Sequence, residues 1–146
     1  MRLDQKIALF DALPTLALLE PQAKHVLAFS AEERALKAGD RLFSRGAKSE
    51  GGYLVLSGRI AVNATDQGVE GAGMFGPGTL IGEAALVAET QCPASALAVE
   101  PSRLLVLTRA LMHRVLEAHP ASAGALRRHV AARVASLEFE LRTLLD

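Results

Sequence analysis

The sequence predicts a mainly β fold with flanking helices: an antiparallel sandwich or jelly roll, with short helices before it and two helices after it. Three observations carry this. Between Glu33 and Leu107 the apolar runs are short, nearly regular in spacing, and separated by turns that contain glycine. Before residue 30 and after Thr108, apolar residues instead recur at helical spacing. Half of the 146 residues are hydrophobic, which supplies the core of one ordinary domain. We therefore read residues 1–146 as a single domain, with N-terminal helices in 1–30, the roll in 31–107 and C-terminal helices in 108–146.

Asp4 is a natural N-cap for a first helix carrying Ile7, Leu9 and Phe10, which Leu13-Pro14-Thr15 should break. Pro21 suits a first helical turn, so a second helix is expected over Gln22 to Phe29, with Val26, Leu27 and Phe29 available for burial. Arg34-Ala35-Leu36 then leads into a turn at Lys37-Ala38-Gly39-Asp40. After Arg41-Leu42-Phe43 comes another turn at Arg45-Gly46. Gly52 to Val62 is the clearest strand signal and reads as two strands meeting at Ser57-Gly58. Asp66-Gln67-Gly68 resembles a hairpin turn, and Gly76-Pro77-Gly78 a tight corner. Ala94 to Val99 and Arg103 to Leu107 are two more strands.

Thr108 is a good N-cap for a helix burying Leu111, Met112, Val115 and Leu116, which His119-Pro120 should end. The last helix, Ala121 to Leu145, carries Val130, Val134, Leu137, Leu141 and Leu144. That spacing forms a coiled-coil seam of about two heptads and leads us to expect a homodimer.

Composition excludes several classes. Sixteen basic residues balance sixteen acidic ones, unlike a strongly basic nucleic-acid binder. A single cysteine, Cys92, rules out an internal disulfide framework and fits a reducing cytoplasm. The N-terminus is too polar for a signal peptide, and Asp11 and Pro14 interrupt Ile7 to Leu19 short of a membrane span. His25, His113, His119 and His129 all fall in the helical parts, and the roll shows neither a metal-ligand cluster nor a nucleophile elbow. His113 and Glu117 stand four apart and read as surface. Neither an enzyme nor a bound metal is expected, and no cofactor is implied.

The candidate site is Thr79-Leu80-Ile81-Gly82-Glu83-Ala84-Ala85-Leu86-Val87, followed after a short polar gap by Pro93-Ala94-Ser95-Ala96-Leu97-Ala98. Gly82 lets backbone approach a ligand closely, and the N–H groups of the turn after it would face an anion. Glu83 could accept hydrogen bonds from sugar hydroxyls; its simpler role is a favourable charge at a helix start.

This G-E-x-A-L, gap, x-A-S pattern resembles the phosphate-binding cassette of the cyclic nucleotide-binding domain family, the sensor domain of catabolite-activator-like regulators. Lys37 to Gly46 resembles that family's x-x-G-x-x-L-F-x-x-G, and Tyr53 to Gly58 its Y-x-V-x-S-G. The resemblance spans roughly Phe10 to Leu145 and implies a β-roll with ligand-binding residues at Gly82, Glu83, Ala84, Ala85, Pro93, Ala94 and Ser95. It also implies cyclic AMP or cyclic GMP as a possible ligand, and a regulatory module that couples pocket occupancy to its C-terminal helices.

One position departs from the pattern. Where the family places an arginine against the cyclic phosphate, this chain has Pro93, which brings neither charge nor backbone N–H. Arg59, Arg103 and Arg109 are the candidates to replace it. Ser95 resembles the family's small hydroxyl residue, which can donate to phosphate or, in some members, to the purine; it could equally donate to the neighbouring backbone. Arg127, Arg128 and Arg133 could cap a base or form a solvated face. Cys92 reads as incidental. A helix-turn-helix following the last helix is not expected, so neither is DNA binding through one. The alternatives are a degenerate roll used for dimerisation or for docking a protein partner, and a pocket that takes a different small ligand.

Overall fold

The computed structural model describes residues 1–63 and 73–145, and side chains through residue 132. The chain forms two compact units. Ser30–Met112 is the first, and Met1–Phe29 together with His113–Asp146 is the second.

The first unit is the expected antiparallel roll, and among its described residues it has eight strands. These are β1 (Glu32–Leu36), β2 (Arg41–Phe43), β3 (Gly51–Ser57), β4 (Ile60–Asn63), β5 (Gly73–Phe75), β6 (Leu80–Ile81), β7 (Ser95–Ala98) and β8 (Ser102–Thr108). They form two four-stranded sheets, ordered β1-β8-β3-β6 and β2-β7-β4-β5. The inward positions of both sheets make one core of Leu42, Tyr53, Val55, Ile60, Ile81, Ala96, Ala98, Leu104 and Val106. Each large aliphatic side chain buried there contributes roughly 1.5–3 kcal/mol. On β3 and β8 the alternate residues, Leu54, Leu56, Leu105 and Leu107, are buried as well, so these central strands read as continuous apolar runs.

The bend between β3 and β4 depends on Gly58. Its φ is +89°, and a Cβ there would lie 2.1 Å from Ser102 Oγ and 2.6 Å from the Pro101 carbonyl oxygen. Ser102 Oγ also accepts the Arg59 backbone N–H at 3.1 Å, which joins this bend to the turn before β8. Thr108 ends β8 and caps α4 (Arg109–Ala118) as expected, its hydroxyl accepting the Leu111 N–H at 3.1 Å.

The second unit holds α1 (Leu3–Asp11), α2 (Pro14–Ala17), α3 (Pro21–Ser30), the rest of α4, and α5 (Pro120–Leu145). Phe10, Leu16, Leu27 and Leu126 are fully buried in it. Glu20 donates its N–H to Ser122 Oγ at 2.8 Å, and its carboxylate lies 2.9 Å from His119 Nδ1. None of the described helices is long and apolar enough to cross a membrane.

Several local expectations are corrected. Asp4 lies in the first turn of α1 rather than at its cap; the Arg2 backbone N–H is instead satisfied by Gln5 Oε1 at 2.9 Å. Pro14 does not simply break the chain but starts the single turn of α2, where its missing N–H costs nothing. In α3 the buried residues are Ala23, Leu27 and Ala28, while Val26 is 39% and Phe29 78% exposed. The apolar stripe is thus set by the positions that face the unit, whatever the size of the residue. The turn at Asp66-Gln67-Gly68 lies outside the described residues, as do the side chains of Val134, Leu137, Leu141 and Leu144.

Candidate functional site

The site begins with a strand pairing. β3 and β6 align Tyr53 with Ile81 and Leu54 with Leu80, which sets Gly82, immediately after β6, beside Gly52. A Cβ on Gly82 would stand 3.2 Å from the Gly51 carbonyl oxygen and 3.7 Å from Gly52 Cα. Gly82 is also left-handed, at φ +81° and ψ +39°, so close approach and conformation both call for glycine here. From this point the chain makes a 3-10 turn over Glu83–Leu86, closed by the Ala85 N–H on the Gly82 carbonyl at 3.1 Å. Leu86 anchors the turn: it is buried, and its Cδ2 would be 2.9 Å from a Cβ on Gly52. The N–H groups of Glu83 and Ala84 lie at the open start of the turn, where the turn itself supplies no acceptor.

The opposite wall is a loop laced to the segment before β3. Ser49 donates its N–H to the Thr90 carbonyl at 2.9 Å, Cys92 its N–H to Ala47 at 2.8 Å, and Gly46 its N–H to Cys92 at 2.8 Å. Between this loop and the 3-10 turn lies a cavity of about 340 Å³, large enough for a small organic molecule. Gly82, Glu83, Ala84, Ala85, Thr90, Gln91, Cys92 and Pro93 line it, with Phe43, Ser49, Gly51 and Tyr53 from the strands. A second cavity of about 280 Å³ shares Phe43, Gly82 and Pro93 with the first. It is otherwise lined by Val62, Phe75, Thr79, Leu80, Ile81 and Ala94.

The structure thus gathers Gly82, Glu83, Ala84, Ala85 and Pro93 round one cavity and puts Ala94 in the neighbouring one. Ser95 departs from this. It is buried on β7, and its Oγ accepts the Arg45 backbone N–H at 2.9 Å, a bond to backbone distant in sequence in which it is the acceptor.

Sequence reasoning treated Phe43 and Tyr53 as marks of the fold, and both prove to line the cavity, stacked with ring centroids 5.7 Å apart. Tyr53 donates its O–H to Glu50 Oε1 at 2.8 Å, and Glu50 also takes Arg34 Nη1 at 3.2 Å. Burial, then the Glu50 carboxylate, holds the Tyr53 phenol well above its usual range, so it stays protonated and donating. Burial likewise pushes the Cys92 thiol up, against the opposing effect of a hydrogen bond with Ser49. The one legible signal for Tyr53 was its place in the Tyr53–Gly58 run; its pairing with Ile81 was not visible before the fold.

The arginines considered as replacements at Pro93 are placed elsewhere. Arg103 pairs with Glu33 at 3.2 Å, and Arg59 is exposed. Arg109 comes nearest. Its Nη1 donates to the Ser49 carbonyl at 3.2 Å and to the Ala88 carbonyl at 3.3 Å, and its Nη2 lies 3.7 Å from the Glu89 carboxylate. It lines a separate hollow of about 200 Å³ with Lys48, Ser49, Glu89, Thr90 and Gln91. Arg127 and Arg128 are exposed on α5, and the side chain of Arg133 is outside the described residues. His113 and Glu117 pair on the surface at 3.0 Å. Among the described residues no group of three or more metal-ligating side chains converges.

Comparison with known proteins agrees with this geometry. Residues 33–119 match the family model described as the cyclic nucleotide-binding domain. The cyclic AMP receptor protein of Thermus thermophilus is 37% identical over 117 residues, 75% of this chain and 53% of that protein. Lysophospholipase nte1 of Aspergillus oryzae is 28% identical over 133 residues, which is 90% of this chain but only 9% of that protein. Among solved structures, the N-terminal domain of a transcriptional regulator from Streptomyces coelicolor A3(2) has a TM-score of 0.76 and 28% identity, covering 91% of this chain and 94% of that one. The Thermus thermophilus catabolite activator protein gives 0.71 at 29% identity, over 90% and 63%. The chain belongs to the cyclic nucleotide-binding domain family.

Proposed function

We propose that this chain is a regulatory ligand-binding module: a small hydroxylated molecule occupies the cavity beside the 3-10 turn, and its presence is passed to the C-terminal helices. The observation that supports this best is an open cavity of about 340 Å³ bordered by a left-handed Gly82 and the Glu83 carboxylate. A roll kept only as a scaffold has no need of that volume beside a turn that calls for glycine. Glu83 is the acceptor for ligand hydroxyls, and Tyr53 and Phe43 give the aromatic wall. The module binds and reports, with no reaction of its own. It acts in the cytoplasm, as a homodimer or against a protein partner.

The name of the Thermus relative makes cyclic AMP the first ligand to try, with cyclic GMP beside it. Pro93 weakens both. A hydrogen bond to a charged group is worth roughly 1.5–3 kcal/mol, so its absence costs about ten- to a hundredfold in affinity. Calorimetric titration with cyclic AMP, cyclic GMP and adenosine tests the reading. At least one should give saturable heat that Ala84→Trp, filling the cavity, abolishes. Folded protein that takes none of the three, before and after Ala84→Trp, would favour the second reading. That reading is a degenerate roll used for pairing or docking, which Pro93 supports.

A further inference from the structure

We infer that the hollow formed by Lys48, Ser49, Glu89, Thr90, Gln91 and Arg109 is a phosphate-group site, separate from the turn after Gly82. The phosphate comes either free or on a molecule seated in the cavity. Only the second source rests on the function proposed above.

The hollow, about 200 Å³, brings together two cations that are held in different ways. Arg109 is fixed. Its Nη1 donates to the Ser49 and Ala88 carbonyls at 3.2 and 3.3 Å, which sets the guanidinium plane before any ligand arrives. Lys48 is the movable one: it is exposed and joins no ion pair with any described residue. A backbone bridge pairs Lys48 with Gln91, so their side chains leave on the same face. Thr90 and Gln91 add residue types that can donate. Phosphate has more acceptor oxygens than a carboxylate and can use that many donors.

A carboxylate already sits where such an anion is received. Glu89 stands 3.7 Å from Arg109 Nη2, too long for a hydrogen bond, and its side chain is 86% exposed. An exposed pair this loose contributes little and opens readily into solvent. Glu89 thus holds the anion's place weakly, and a phosphate displaces it from Arg109. Glu50, the other carboxylate close by in sequence, is bonded by Arg34 and Tyr53. Hollow and cavity share Ser49, Thr90 and Gln91, so Lys48 and Arg109 place positive charge at the end of the cavity that those residues line.

Titration of isotope-labelled protein with inorganic phosphate, with chloride keeping ionic strength constant, tests the site through amide shifts. The amides of Lys48, Ser49, Thr90 and Gln91 should shift and saturate while those in the core of β8 stay still. Lys48→Gln should weaken binding at least about threefold, and Glu89→Gln should tighten it about twofold or more. Both residues are exposed, so neither change disturbs the core. Shifts that grow without saturating, or an affinity that both variants leave unchanged, would overturn the site. Adenosine monophosphate, beside adenosine as its phosphate-free partner, identifies the source. Nucleotide that binds more tightly than phosphate and also shifts the Glu83 and Ala84 amides supports the site and the cavity reading together. Nucleotide that only matches phosphate and leaves those two amides unmoved supports the site and counts against an adenine ligand in the cavity. Adenosine that shifts them, with no saturation by phosphate, would sink the site and leave the cavity reading intact.

Discussion

Gly58 and Gly82 are both left-handed, yet they answer to different constraints. At Gly58 a Cβ would collide with Ser102 Oγ and the Pro101 carbonyl, and the bend has no slack. Gly58→Ala should therefore cost about 2–4 kcal/mol, combining left-handed strain with displacement of a buried hydroxyl. Urea unfolding checks this; a loss below about 0.5 kcal/mol would mean the turn repacks freely. Gly82 has nothing within 3.0 Å of an added Cβ, so Gly82→Ala should cost less, about 1–2 kcal/mol, nearly all of it backbone strain. Cys92 offers a probe at the same scale. It is buried, and its raised thiol pKa keeps the thiolate scarce near neutral pH. Its labelling by a disulfide reagent should be slow in native protein, should quicken as pH rises, and should slow further when the cavity is filled. Labelling as fast as in unfolded protein would contradict the burial.

Among the elements, the segment after the 3-10 turn and the start of α4 are joined through Arg109. One guanidinium nitrogen bonds the Ser49 and Ala88 carbonyls, on either side of the cavity rim, while the Arg109 backbone N–H bonds Glu50 at 2.8 Å. Arg109→Met should release the 84–91 segment. The expected signature is faster amide exchange at Ser49 and Thr90 and at least threefold faster Cys92 labelling, with core amides of β8 nearly unchanged. Equal acceleration everywhere would instead indicate general destabilisation. Lysine at 109 keeps the charge and three N–H donors on one nitrogen, so Arg109→Lys should release the segment less than Arg109→Met.

The elements were largely legible in the sequence, because glycine turns and short, regularly spaced apolar runs are local signals. β3, β4, β7, β8 and the Thr108 cap fall within a residue or two of expectation. The N-terminal helices were less so. Pro14 both stops one helix and starts the next, and which side of α3 faces inward depends on neighbours distant in sequence. The site was half legible. Gly82 and Glu83 announce themselves by order along the chain, whereas Tyr53, Phe43 and Ser49 join only through strand pairing. Ser95 shows the converse, a residue of the right type whose hydroxyl is bonded to the Arg45 backbone.

For the whole molecule, the spacing on α5 predicts a homodimer. Light scattering at high micromolar concentration should give twice the monomer mass, and Leu137→Glu should return the monomer. A wild-type monomer under those conditions would remove the seam from consideration. The structure adds a qualification at Val130, which is already buried within its own chain, with Ala123 and Leu126 beside it. Val130 is therefore not open to a second copy. Ala123, Leu126 and Val130 follow at steps of three and four along the helix Pro120–Leu145, so they make one buried stripe. Turning the helix about its axis would pull Leu126 out of its own core, so twist is the motion of α5 that this packing opposes most.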